Sequence, residues 1–247
     1  MEELSKKLND PQYLPSLAEL GGVFPIVDAG VKFATTAEEE RQIARWERYV
    51  GDPKFMKREI LTKEYIKKLG DYLLGRAPAG GAANILELGA GDGRLAHFLR
   101  EYFLSAGQKR IEHRAVDDQS GARGLEESGG EPPLFPVEEM DAAAALKKYS
   151  PTIVIVAWMP IGTDWTKAIR DTASVEEYIL IGHPYDEVCG RRWETWGIDK
   201  NKRHAGETPP YEKDGFVMNE RADISKDQLS FIPRSGHPSR TVVFQRQ

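Results

Sequence analysis

A chain of 247 residues with 40% apolar and 30% charged side chains has the balance of a globular protein and excludes a disordered one. A net charge of −5 argues against a broad nucleic-acid footprint, and a single cysteine, Cys189, excludes an internal disulfide framework and suits a reducing compartment. There is no signal-peptide core at the N-terminus and no apolar run near the ~20 residues of a membrane span, so the expected location is cytoplasmic.

Residues 1 to 36 are rich in turn formers, and Leu17, Leu20, Val23, Phe24, Ile26 and Val27 could dock this arm on the main body. Thr36-Ala37-Glu38-Glu39 has the form of a capping box. The helix it opens carries Ile43, Trp46 and Val50 on one face and ends at Gly51. A second helix is expected from near Thr62 to Gly75, with Tyr65, Ile66, Leu69, Tyr72 and Leu73 as its stripe. Together these form an N-terminal helical cap, readable either as packing over a sheet or as a lid over a ligand. The flexible stretch from Gly75 to Asn84 is the best candidate boundary, dividing an N-terminal region, 1–80, from a main domain, 81–247.

The main domain opens with Asn84-Ile85-Leu86-Glu87-Leu88-Gly89-Ala90-Gly91-Asp92-Gly93, a short apolar strand running into a glycine turn. Leu95, Phe98, Leu99 and Tyr102 then share one helical face, and Gly107 is a plausible stop. A dinucleotide fingerprint, G-x-G-x-x-G, has Arg94 at its third position in one frame and Ala96 in the other. A phosphate loop, G-x-x-x-x-G-K-[ST], is absent. What the residues match is E-x-G-x-G-x-G, which resembles motif I of the class I S-adenosylmethionine-dependent methyltransferases. The resemblance implies that Gly89, Gly91 and Gly93 pass beneath the methionine part of S-adenosyl-L-methionine. It also implies that Glu87 supports the turn or reaches the cofactor's amino group through water.

The next strand, Arg110 to Asp117, ends in two carboxylates, Asp117 and Asp118. By the same resemblance Asp117 accepts both ribose hydroxyls; a helix N-cap is the plainer reading for either aspartate, and fits Asp118 better. Met140 and Asp141 stand where the family packs and hydrogen-bonds adenine, and Asp141 is also a good N-cap for the helix from Ala142 to Tyr149. Thr152 to Trp158 is the most β-prone run and is expected to be a central strand. Beyond it, Trp158, Pro160 and Trp165 are expected to line the acceptor pocket, with Asp164 as the candidate to orient or deprotonate the acceptor. Amine-methylating members place [DNS]-P-P-[YFW] here; Ala157-Trp158-Met159-Pro160 departs from that and leaves the acceptor open.

A fifth strand is expected over Tyr178–Ile181, ending at His183. Phe216–Met218, Leu229–Ile232 and Arg240–Phe244 follow as late antiparallel strands. Between them, Arg191 to Arg203 reads as a binding loop or as a solvated loop with Trp193 and Trp196 docked. The five histidines show no metal spacing, and no G-x-S-x-G elbow is present. The expected fold is therefore α/β: a Rossmann-like class I methyltransferase sheet, mostly parallel with an antiparallel C-terminal strand, plus the N-terminal helical cap. The expected activity is methyl transfer from S-adenosyl-L-methionine to a small molecule or a protein, with nucleic acid and membrane disfavoured as partners. A non-catalytic interaction module of the same fold and a nicotinamide-dependent oxidoreductase are the alternatives.

Overall fold

The structure, a computed structural model, describes residues 7, 10, 12–21, 36–37, 40–41, 44, 59–77, 83–108, 111–118, 135–185, 188–230 and 239–247. The expected helix bearing Ile43, Trp46 and Val50, Glu38 and Glu39 of the capping box, and Val23 to Val27 of the arm lie outside these residues. After a short helix α1 (Leu17–Gly21), the described chain runs β1 (Glu59–Ile60), α2 (Lys63–Arg76), β2 (Ala83–Leu88), α3 (Arg94–Ser105), β3 (Ile111–Asp117), β4 (Glu138–Glu139) and α4 (Ala142–Tyr149). It continues through β5 (Ile153–Ala157), α5 (Thr166–Asp171), β6 (Glu177–Gly182), α6 (Arg192–Trp196), α7 (Pro210–Lys213), β7 (Phe216–Glu220), α8 (Ala222–Ser225), β8 (Leu229–Ser230) and β9 (Arg240–Arg246).

Seven strands form one sheet in the order β4-β3-β2-β5-β6-β9-β7. The first five are mutually parallel; β9 runs antiparallel to β6 and β7 antiparallel to β9. Alternation along each strand sends successive side chains to opposite faces. Leu86, Leu88, Val154, Val156, Leu180, Val242 and Phe244 pack under α4 and α5, while Ile85, Ile153, Ile155, Ile179, Ile181 and Val243 pack under α2 and α3. Burial on both faces explains why β5 and β6 read as unbroken apolar runs. Tyr178 and Phe244, opposite each other across β6 and β9, stack with ring centroids 4.5 Å apart.

The helix expected near Thr62 is a layer of this core. Thr62 caps α2, its hydroxyl accepting from the Tyr65 N–H at 3.1 Å. Tyr65, Leu69 and Leu73 are fully buried on the sheet, and Arg76 at the far end pairs with the buried Glu177 of β6 at 2.8 Å. Of the two readings of this helix, the contacts are those of packing. One expectation is corrected: Leu229–Ser230 does not join the main sheet. It pairs antiparallel with Glu59–Ile60 in a separate two-stranded ribbon, while the main sheet ends on β7, with β9 between β6 and β7. Among the described residues no helix is long and apolar enough to cross a membrane.

Because α2 shares its core with the central strands, Leu69→Ala should destabilise the fold by about 2–5 kcal/mol. Urea unfolding measures this; a loss under about 1 kcal/mol would make α2 a peripheral element.

Candidate functional site

Strands β2 and β5 are neighbours, yet the chain leaves β2 toward β3 on one side and β5 toward β6 on the other. In an open α/β sheet, the crevice beyond the carboxyl ends of two such strands is where ligands bind. The residues found there are those the sequence points to. Gly89, Gly91 and Gly93 all have positive φ, at 66°, 56° and 76°, a conformation that would strain any other residue. A Cβ on Gly91 would meet nothing within 4 Å, so its Cα faces open space. On Gly93 it would lie 2.6 Å from Val137 Cγ2, so this glycine is needed for close packing.

Asp117, at the end of β3, accepts the Gly91 N–H on Oδ2 at 2.9 Å, which pins the outermost point of the turn to the next strand. The Asp117 carbonyl also accepts the Met140 N–H at 3.0 Å, bringing Met140 and Asp141 to the same edge. Asp141 caps α4, its Oδ1 accepting the Ala144 N–H at 3.0 Å. Glu87 lies deeper than the turn: it is buried on the α2 and α3 side of β2, with Oε2 3.6 Å from His113 Nε2.

Beyond β5 the predicted acceptor segment divides. Trp158 has a left-handed backbone (φ 55°), rare for a bulky residue and typical of constrained sites. Its indole N–H donates to Glu59 Oε2 at 3.1 Å, and its ring lies 5.2 Å from that of the buried His183. Trp165 instead leans on the glycine turn, and a Cβ on Gly89 would lie 2.8 Å from its ring. Pro160 is exposed between them. Asp164 Oδ1 accepts from the Thr166 N–H (3.1 Å), the Thr166 hydroxyl (2.6 Å) and the Thr195 hydroxyl (3.0 Å), so that oxygen is committed to the start of α5 and to α6. In the basic stretch, Trp196 is buried with its indole N–H on the Cys189 carbonyl at 2.9 Å, and Trp193 stacks on His204 at 4.3 Å. The tryptophans are docked.

Two groups escaped the sequence reading. Arg94, at the start of α3, has Nη2 3.1 Å from Asp92 Oδ2, yet neither Nε nor Nη2 finds a hydrogen-bond partner. Its position in a motif was visible; its unused donors were not. The other is Glu59. Its Oε1 accepts from Gln228 Nε2 (2.8 Å) and the Ser239 hydroxyl (3.2 Å), completing a cluster with Trp158. A glutamate in a two-residue strand carries no pattern that could have announced this.

Burial raises the Glu59 carboxyl from 4.5 to about 7, against the opposing effect of its three donors. The folded protein therefore keeps a proton there that the unfolded chain has lost. The stabilisation is complete below about pH 4.5 and is lost as pH rises through about 7. Between pH 5 and pH 8 the stability difference between Glu59→Gln and the parent should shift in the variant's favour, on the order of 2–3 kcal/mol. Urea midpoints at the two pH values check this, and a pH-independent difference would show an ordinary carboxyl.

By sequence, the chain matches no known family profile and none of the curated proteins. By structure, it is similar to the CurJ carbon methyltransferase, at 11% identity and TM-score 0.44 over 73% of this chain and 53% of that one. It is similar to the CMeT domain of the citrinin polyketide synthase at 15% identity and TM-score 0.44, over 85% and 57% of the two chains. It is also similar to magnesium protoporphyrin IX methyltransferase from Synechocystis PCC 6803, solved with bound SAM, at 11% identity and TM-score 0.39 over 88% and 87%. The chain thus spans little more than half the length of the first two, at 53% and 57%. At such identities these likenesses carry no weight for activity. The sheet order and the glycine turn are the chain's own: a mostly parallel, Rossmann-like sheet with an antiparallel strand near one edge.

Proposed function

We propose that this chain is an S-adenosylmethionine-dependent methyltransferase. The observation that carries the reading is the glycine turn at the switch point: three left-handed glycines, open space at Gly91, and the Asp117 carboxylate tied to the Gly91 N–H. The residues fit the cofactor. The turn offers a surface without side chains for the methionine part. Asp117 supplies acceptors for the ribose, and Met140 and Asp141 stand at the adenine end. When bound, the cofactor brings a methyl group already activated by its sulfonium.

The protein's task is then alignment. Trp158 and Trp165 are anchored on Glu59 and on Gly89, so they frame the end of β5 as rigid aromatic surfaces. Pro160 lies between them, and the acceptor is held along this segment. Asp164, with Oδ1 engaged by α5 and α6, serves the site by fixing Trp165 at the start of α5. We take the acceptor to be a small molecule or a protein side chain, not a nucleic acid, since the acidic chain repels a polyanion over most of its surface. A cytoplasmic location accords with the lone cysteine.

Gly91→Ala adds a methyl that meets no protein atom and strains the backbone by about 1–2 kcal/mol, so the variant should fold. Calorimetry should show its S-adenosylmethionine affinity reduced at least about tenfold by the clash with the ligand. Asp117→Ala should weaken binding by about 1.5–3 kcal/mol. Undiminished affinity in both folded variants would dismiss the cofactor site. Methyl transfer from labelled cofactor into a cell extract identifies the acceptor; label recovered only in nucleic acid would refute the acceptor class.

A further inference from the structure

Glu59 sits at the same sheet edge as the glycine turn, although it is remote in sequence. Ser239 immediately precedes β9, whose first residue, Arg240, lies opposite Gly182 at the end of β6. Trp158 immediately follows β5, in which Val156 lies opposite Leu88, so Trp158 stands level with the glycine turn. Glu59 bonds to both Ser239 and Trp158, which places its carboxyl beside the crevice.

Its three partners are an amide, an indole and a hydroxyl. All of them are neutral donors suited to a carboxylate. Among the described residues no cation pairs with it. Two nearby described cations are engaged elsewhere: Lys68 on α2 holds Asp227 at 2.6 Å, and Arg240 on β9 holds Glu220 at 2.9 Å. Tyr65 on α2 is kept neutral, its hydroxyl pushed further up by burial and by Glu59 itself. Among the described residues, His183, beyond β6, is a further nearby group whose ordinary range lies near neutrality. A carboxyl cradled by donors but lacking a counter-ion, at the edge where a cationic ligand would enter, is built to answer that charge.

We propose that Glu59 is the group by which this protein distinguishes the cationic sulfonium form of its cofactor from the neutral thioether left after methyl transfer. The inference rests on the cofactor reading above. The sulfonium draws Glu59 into its ionised form and a proton leaves to solvent. The thioether carries no such charge, so Glu59 keeps its proton and the spent cofactor is held less tightly. Because the carboxyl titrates near neutrality before any ligand arrives, the discrimination strengthens as pH rises through about 7.

Calorimetry of S-adenosylmethionine and S-adenosylhomocysteine, each in two buffers of different ionisation enthalpy, tests this on the full chain. Near pH 7 the sulfonium ligand should release up to about half a proton more than the thioether. Its relative affinity should rise up to about tenfold from pH 6 to pH 8. Both effects should vanish in Glu59→Gln. Equal proton release by the two ligands, or a pH slope retained in the variant and therefore belonging to another group, overturns the proposal. Should Glu59→Gln fail to fold, the carbon-13 titration of the Glu59 carboxyl in the parent decides. A midpoint lowered by S-adenosylmethionine alone supports the proposal, and one moved equally by both ligands overturns it. Failure of either ligand to bind at all would instead overturn the cofactor reading, and this inference with it.

Discussion

The divergence of the chain at β2 and β5 is the constraint on which the rest of this protein depends. Two parallel strands lie side by side, their connections leave in opposite directions, and the ends of both strands open onto the same edge of the sheet. Several groups reach that edge from strand ends: Gly89 from β2, Asp117 from β3, Trp158 from β5, His183 from β6 and Ser239 at the start of β9. Buried strands are hydrogen-bonded on both sides and cannot shift register without moving whole rows of side chains across the sheet. The site inherits that rigidity.

Stability and site geometry are joined in the same way. The side chains that bury α2 on the sheet, Tyr65 above all, also touch the polar cluster, since the Tyr65 hydroxyl meets the Thr241 hydroxyl at 3.1 Å. Thr241 Oγ1 also bonds Gln228 Oε1 at 2.8 Å, and Gln228 bonds Glu59. A half-buried network of this kind is favourable only when every member is satisfied. Its one carboxyl is Glu59, which among the described residues is held by neutral donors. The ribbon of β1 and β8 holds Glu59 in place with two residue pairs, so its position depends on side-chain hydrogen bonds more than on the ladder.

Much of this was legible in the chain, for local reasons. Strand β5 is apolar at every position because it is buried on both faces. The glycine turn is visible because only glycine tolerates three left-handed backbones in five residues. Asp117 is visible because an acid ends a strand one strand–helix unit later, and Thr62 because a helix start needs a capping oxygen. These features write themselves into neighbouring residues, and from them the sheet, its glycine turn and the acid that ends β3 follow.

What the tertiary structure decided concerns residues whose partners are distant in sequence. Asp164 looks like a free carboxylate beside two tryptophans; only folding brings Thr195 onto it. Leu229–Ser230 looks like another strand of the main sheet, yet it pairs with Glu59–Ile60, about 170 residues earlier in the chain. Glu59 itself is an unremarked acid until Trp158, Gln228 and Ser239 surround it. Local spacing determines which backbone a segment adopts, because that depends on sterics and capping within a few residues. Which polar group becomes buried, and beside what, depends on desolvation and donors from across the fold, and no window of neighbouring residues contains that information.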